Sequence, residues 1–378
     1  VGLARARRLA GRIRAALGRR VLRGSPWLRP HARAILRRLH LESAVLRSAG
    51  ARRLLLGETD PRYRAILATR PCRIPAGDGL ELHLLTCEPD VLRTVWALKS
   101  FYRFSSLAPR LVLHDDGTLS DRSRATLAAH FPRCEQPRDG AARVAERLAR
   151  HPMCRFFYGK HVIARKLFDV LLLARADYLI VMDTDVLWFR ESPQISGCVR
   201  ARTPFHLSGA SEAYARNRTF MEEHCGLVPA RNLNSGLLGF RRHDLLDLDF
   251  IDAALDRLVH VPPSLVAASL GYRHPGNDPG FDPRDPVNSV VWWVMEQTIY
   301  ALLLQRCADR VPLARVAEGG RAAHRFAGDP ITPGTAVQHF ISDRSLNAFF
   351  PLGVEHLLRT GFLEAWAPEP PPAEAAQQ

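Results

Sequence analysis

Residues 178–189 read YLIVMDTDVLWF. Five apolar residues in a row, with no polar residue between them, mark a short strand buried on both faces. A strand covered on both faces needs helices above and below it, so the segment predicts a mostly parallel sheet inside an α/β domain. Two carboxylates, Asp183 and Asp185, follow at once. They fall at the C-terminal end of the strand, the edge where open α/β sheets bind ligands.

The rest of the chain fits that frame. Leu80–Cys87 (LELHLLTC) predicts a first strand and Val91–Phe104 a helix carrying Trp96 and Leu98. Arg110–His114 predicts a second strand, closed by the turn His114-Asp115-Asp116-Gly117. Ser120 is placed to cap the helix that begins at Asp121. A helix over His161–Ala174 leads into the Tyr178–Met182 strand. Further strands are predicted at Pro204–Gly209, Gly236–Phe240 and Ala336–Ile341, and an apolar helix at Val287–Leu304. Residues 273–286 are rich in Pro, Gly and Asp, and predict a loop able to cover a ligand. The expected domains are a basic helical N-terminal extension (1–73), a catalytic domain (74–366) and a disordered Pro-rich tail (367–378).

Charge separates the extension from the body. Residues 1–70 hold 18 Arg and three acids, whereas acids and bases balance in the remainder. Leu3, Leu9, Ile13, Leu17 and Val21 share one face of a helix whose other face is Arg. Such a helix suits an anionic membrane surface; a solvated helix packed on the body is the alternative. No motif points to nucleic acid. Every long apolar run is interrupted before it reaches the ~18 residues of a membrane span, and no secretory signal is visible. Seven cysteines without a CxxC pair argue for reduced thiols. The expected location is the cytoplasm, with the arm able to hold the protein at the inner face of the plasma membrane.

Two carboxylates so close repel each other unless positive charge lies between them. A divalent ion with hard oxygen ligands, Mn²⁺ or Mg²⁺, together with a diphosphate, answers that need. In this context the segment from Lys160 to Phe189 resembles the core of GT-A glycosyltransferases, and is most similar to the retaining family-eight enzymes. The resemblance spans roughly residues 80–345 and is clearest between 160 and 240. It implies a GT-A type, Rossmann-like fold and transfer of a sugar from a nucleoside-diphosphate sugar to a hydroxyl of a carbohydrate or glycolipid acceptor, with retention of configuration.

The resemblance also implies roles. Asp183 and Asp185 hold the metal, with Asp185 the more direct ligand and Asp183 shared with ribose. His339, in AVQHFIS, is the third protein ligand. Lys166 stands 17 positions before Asp183, where the family usually has Arg, and contacts the acid pair or the donor sugar. Asn234-Ser235-Gly236 matches an element beside that sugar. Gly236 admits close backbone approach, and Asn234 offers donor and acceptor groups to hydroxyls. Glu296-Gln297 stands where the family has Asp-Gln against the reacting sugar. Two polar residues in an apolar helix need partners in any case. Thr86, Asp115 and Asp116 fall at strand ends that receive the base and ribose.

The chain departs from the pattern after His339, where FISDRS replaces the Gly, Lys and Trp context that aids the diphosphate; Arg344 is the nearest substitute. Two other readings remain. Haloacid-dehalogenase-like phosphatases place the same acid pair after a buried strand and use the first Asp as nucleophile. Against them, Leu187 stands where that family has Thr or Val, and two strand–helix units precede the pair. The other is a non-catalytic GT-A-like adaptor at a membrane surface.

Overall fold

A computed structural model describes residues 60–74, 79–209, 212–272, 281–317, 331–340 and 349–367. The basic arm, residues 273–280 of the Pro/Gly-rich loop, Arg344 and the tail beyond 367 lie outside the described residues.

The chain divides into two compact units. The smaller takes residues up to Cys72 together with 325–333 and 340–378. In it Tyr63 stacks on Phe350 with ring centroids 5.2 Å apart, and Arg62 pairs with Glu355 at 3.1 Å. The guanidinium of Arg70 lies over the Trp366 ring.

The larger unit, residues 73–324 and 334–339, holds the sheet. Its strands are β1 (Leu80–Thr86), β2 (Arg110–Asp115), β3 (Tyr178–Met182), β4 (Val186–Trp188), β5 (Phe205–Ser208), β6 (Leu233–Arg241), β7 (Ala314–Val316) and β8 (Val337–His339). Six of them form one sheet in the order β2-β1-β3-β6-β5-β7. β1 runs parallel to β2 and β3, and β5 parallel to β7; only β6 is reversed. The molecule is therefore mixed α/β with a mostly parallel sheet. The principal helices are α1 (Val91–Phe104), α2 (Asp121–His130), α3 (Gly140–Arg147), α4 (Pro152–Lys160), α5 (Arg165–Leu173), α6 (Leu248–Val259) and α7 (Met295–Ala308). Ser120 caps α2 by accepting a hydrogen bond from the Ser123 N–H.

All five residues of β3 are buried. Leu179 and Val181 join the core cluster built by α3 to α7, while Ile180 and Met182 alternate to the other face. That two-sided burial is why the strand sequence is continuously apolar. Among the described residues no helix is long and apolar enough to cross a membrane.

Two elements differ from expectation. The helix expected from Val287 begins only at Met295, after a single 3₁₀ turn at Trp292–Val294. Glu296 and Gln297 thus stand in its first turn. The late strand around Ala336 does not join the main sheet: β8 pairs antiparallel with β4, with His339 opposite Val186. The apolar Val186-Leu187-Trp188 run is the other half of that ribbon.

Candidate active site

The acid pair sits in a turn between β3 and β4. The Asp183 N–H donates to the Gly236 carbonyl at 2.9 Å, and the Val186 N–H to the Asp183 carbonyl at 3.3 Å. The β4–β8 register then sets the imidazole of His339 beside the acids. Its Nε2 is 3.0 Å from Asp185 Oδ1 and 3.6 Å from Asp183 Oδ2. One donor atom from each of the three lies within 4.8 Å of the others.

Gly236 makes this approach possible. A Cβ there would run into the His339 ring. Glycine at this position therefore admits a neighbouring side chain of the same chain, a reason additional to the one its sequence context suggested.

The orientation of the imidazole is set by its other nitrogen. Asn234 Oδ1 accepts from the Gly236 N–H at 2.9 Å, which fixes that atom as an acceptor. His339 Nδ1 lies 2.7 Å from it and so is the donor. Nε2 then faces the two carboxylates. Lone pair against anion is repulsive until a proton or a cation lies between them. A metal-ligating histidine anchored through its far nitrogen is the usual arrangement, and one imidazole with two carboxylates is a donor set suited to Mn²⁺ or Mg²⁺. The residues present fit such an ion. Burial opposes the charge of Asp185, yet His339, with Arg93 and Lys166 further off, holds its carboxyl below the usual range.

A second layer closes behind Asp183. Lys166, on α5 and 3% exposed, places Nζ 2.7 Å from Asp183 Oδ1, 3.3 Å from Glu296 Oε1 and 3.2 Å from Ser235 Oγ. The Ser235 hydroxyl donates to Glu296 Oε2 at 3.2 Å. Burial pushes Glu296 up to about 7 against the pull of Lys166. Burial also disfavours the Lys166 charge, but Asp183 and Glu296 outweigh it and raise its pKa. Gln297 braces the same place, accepting from the Ser235 N–H at 3.0 Å and donating to the Ala213 carbonyl at 2.7 Å. Lys166, Asp183, Asp185, Asn234, Ser235, Gly236, Glu296, Gln297 and His339 thus form one connected group drawn from α5, the β3–β4 turn, β6, α7 and β8.

The other three sequence candidates stand apart from it. Thr86 is buried, its hydroxyl 2.7 Å from that of Thr94. Asp115 closes its own loop, accepting from the N–H groups of Gly117 and Leu119 and pairing with Arg124. Asp116 accepts from the N–H and the hydroxyl of Thr118. Beside Asp115 opens a cavity of about 360 Å³, with His114, Asp169 and Arg165 in its lining.

Sequence reasoning missed two features here. Asp90, just before α1, reaches the acid turn through Thr184, with Arg93 beside it. His83 and His114, on adjacent strands, form a buried pair 2.8 Å apart. Only the presence of histidine inside otherwise apolar strands hinted at the second.

No protein-family model and no curated protein matches this sequence. Solved structures of similar fold include mouse xyloside xylosyltransferase 1, at 12% identity, covering 70% of this chain and 98% of that one with a TM-score of 0.41. The bifunctional glycosyltransferase WbbM matches at 9% identity over 73% of this chain and 49% of its own, TM-score 0.42. The mannosyltransferase Ktr4p from S. cerevisiae matches at 11% over 55% and 70%, TM-score 0.33. These neighbours are glycosyltransferases; at such identity and overlap the likeness assigns no activity to this chain.

Proposed function

We propose that the chain is a metal-dependent glycosyltransferase of the GT-A type, close in kind to the retaining family-eight enzymes. It would move a sugar from a nucleoside diphosphate to the hydroxyl of a carbohydrate or glycolipid acceptor. The observation that carries the reading is the imidazole of His339, tied back through Nδ1 and aiming Nε2 at both Asp183 and Asp185. A ring anchored through its far nitrogen, with the near one aimed at two carboxylates, is how a metal-ligating histidine is held.

Asp183, Asp185 and His339 would hold Mn²⁺ or Mg²⁺. Bound there, the ion supplies charge neutralisation for a departing diphosphate. Lys166 keeps one oxygen of Asp183 engaged and so orients the other toward His339. Glu296 and Gln297 present polar groups beside Ser235, on the side assigned to the donor sugar. Thr86, Asp115 and Asp116 remain the proposed contacts for base and ribose. The basic arm is proposed to hold the enzyme at the anionic inner face of the plasma membrane, which suits a glycolipid acceptor.

The test is a thermal-shift panel of nucleoside diphosphates and their sugars, with and without Mn²⁺. A ligand at about 100 times its Kd stabilises by roughly 2.7 kcal/mol. The expected result is stabilisation by one nucleotide class that requires the metal and is lost in Asp185→Asn. Release of inorganic phosphate from simple phosphoesters, with no response to sugar nucleotides, would favour a phosphatase instead.

A further inference from the structure

Asp90 occupies the N-cap position of α1, directly after β1. An aspartate there ordinarily accepts a hydrogen bond from a backbone N–H of the first turn. The carboxylate of Asp90 makes no such bond. It is instead buried, 5% exposed, and directed at the acid turn. Oδ2 lies 3.4 Å from the hydroxyl of Thr184, which donates to it over a long hydrogen bond, and 3.3 Å from Cys87 Sγ. Nη1 of Arg93, itself buried, stands 3.7 Å from Oδ1.

The residue bonded in this way is the middle one of Asp183-Thr184-Asp185. Its flanking acids face His339, while its own side chain, also buried, reaches back to α1. An extra buried carboxylate beside two others is unfavourable unless something positive accompanies it. Arg93 meets that requirement. A cap bond forgone, a buried acid aimed at the turn and a buried guanidinium beside it are three separate features with one explanation.

We infer that Asp90, backed by Arg93, is a positioning residue for the cation site: it fixes the Thr184 hydroxyl and thereby the angle at which Asp183 and Asp185 meet His339. The inference rests on the reading of those three residues as a metal site. Neither Asp90 nor Arg93 is assigned contact with the ion. They act through Thr184, as outer partners of metal ligands do when they hold ligand orientation.

The experiment measures Mn²⁺ affinity by isothermal titration for wild type, Thr184→Val, Thr184→Ser, Asp90→Ala and the Asp90→Ala/Thr184→Val double variant. Circular dichroism accompanies each to establish folding. Loss of an outer partner typically weakens metal binding by about 10- to 100-fold. Thr184→Val, which keeps the shape and removes the hydroxyl, is expected to lose about tenfold; Thr184→Ser is expected to stay near wild type. The double variant should lose no more than the weaker-binding single variant, because both break the same link. Thr184→Val binding as tightly as wild type overturns the inference, as does a double variant that loses the product of both factors. Should Asp90→Ala fail to fold, the Thr184→Val and Thr184→Ser pair decides alone. A wild type that binds no Mn²⁺ removes the metal reading and this inference with it, a result distinct from tight wild-type binding that the variants leave unchanged.

Discussion

The end of β3 and the shared face of β1 and β2 are made of the same materials. Each gathers acids, histidine and basic side chains away from water. At the second place most of the groups are joined to one another by hydrogen bonds. Glu81 accepts from Arg110, from the Arg175 N–H and from His83 Nε2. His83 Nδ1 then accepts from His114 Nε2 at 2.8 Å. Asp169, 3.8 Å from His114 Nδ1, accepts from the Tyr158 hydroxyl. At the end of β3 the pattern breaks off. Asp183, Asp185 and His339 Nε2 converge on a common centre. A buried polar network that closes on itself contributes to the fold; one in which three ligand-type atoms converge on a point is, on our proposal, built to take a cation.

The largest effect expected is at Lys166. Removing one partner of a buried ion cluster leaves uncompensated charge and costs about 3–5 kcal/mol. Lys166→Met should therefore unfold well below wild type in denaturant, and Mn²⁺ should recover part of the loss. His83→Leu strikes the closed network. It strands Glu81 and His114 and should cost about 1–3 kcal/mol, with no recovery from Mn²⁺. Recovery in both variants would erase the distinction between the two places.

Two glycines of β6 draw the contrast on one strand. A Cβ at Gly236 would strike the His339 ring, and one at Gly239 the Phe205 ring. Overpacking typically costs about 1–3 kcal/mol. Gly239→Ala should lose stability and keep Mn²⁺ binding, whereas Gly236→Ala should weaken Mn²⁺ binding as well. Titrations of the two purified variants read this directly.

How much of this was legible in the chain varies by place. The acid pair announced itself because β3 is continuously apolar and ends abruptly in Asp183. Glu296 was legible as a polar residue in an apolar helix, and Lys166 only through its place 17 positions before Asp183 in the pattern the segment resembles. The antiparallel course of β6 carried no signal, since a strand buried along nearly its whole length reads the same in either direction. The β4–β8 ribbon is three residues long on each side, too short for periodicity, and its register is what brings His339 to Asp185. The His83–His114 pair joins residues 31 positions apart. Asp90, next to the helix that begins at Val91, was not singled out in the sequence; only the fold shows its carboxylate turned to Thr184.

The smallest effect is a pH slope from the closed network. Burial holds His83 down at about 3, with Glu135 opposing, and holds His114 well below its ordinary 6.5. Both stay neutral in the fold, while the unfolded chain charges them below about pH 6.5. Their contribution is complete above that pH and is lost as pH falls, each removing about 1.4 kcal/mol per pH unit. Asp169 works the other way. Burial raises it to about 6 from an ordinary 3.8, so its contribution is complete below the lower value and lost as pH rises through the higher. The contribution of these three groups should therefore decline on acidification from about 6.5, at roughly the slope of one histidine while Asp169 offsets the other. His83→Leu should flatten that limb, as urea melts at successive pH values will show; an unchanged slope would place the titrating groups elsewhere.

The central claim is that the centre bounded by Asp183, Asp185 and His339 takes a cation. Isothermal titration of Mn²⁺ into the full chain with a nucleoside diphosphate present tests it most directly. The expected result is one ion per chain, abolished in Asp185→Asn and His339→Ala and intact in His83→Leu. Absence of binding in the wild type, or equal binding in all four proteins, contradicts it.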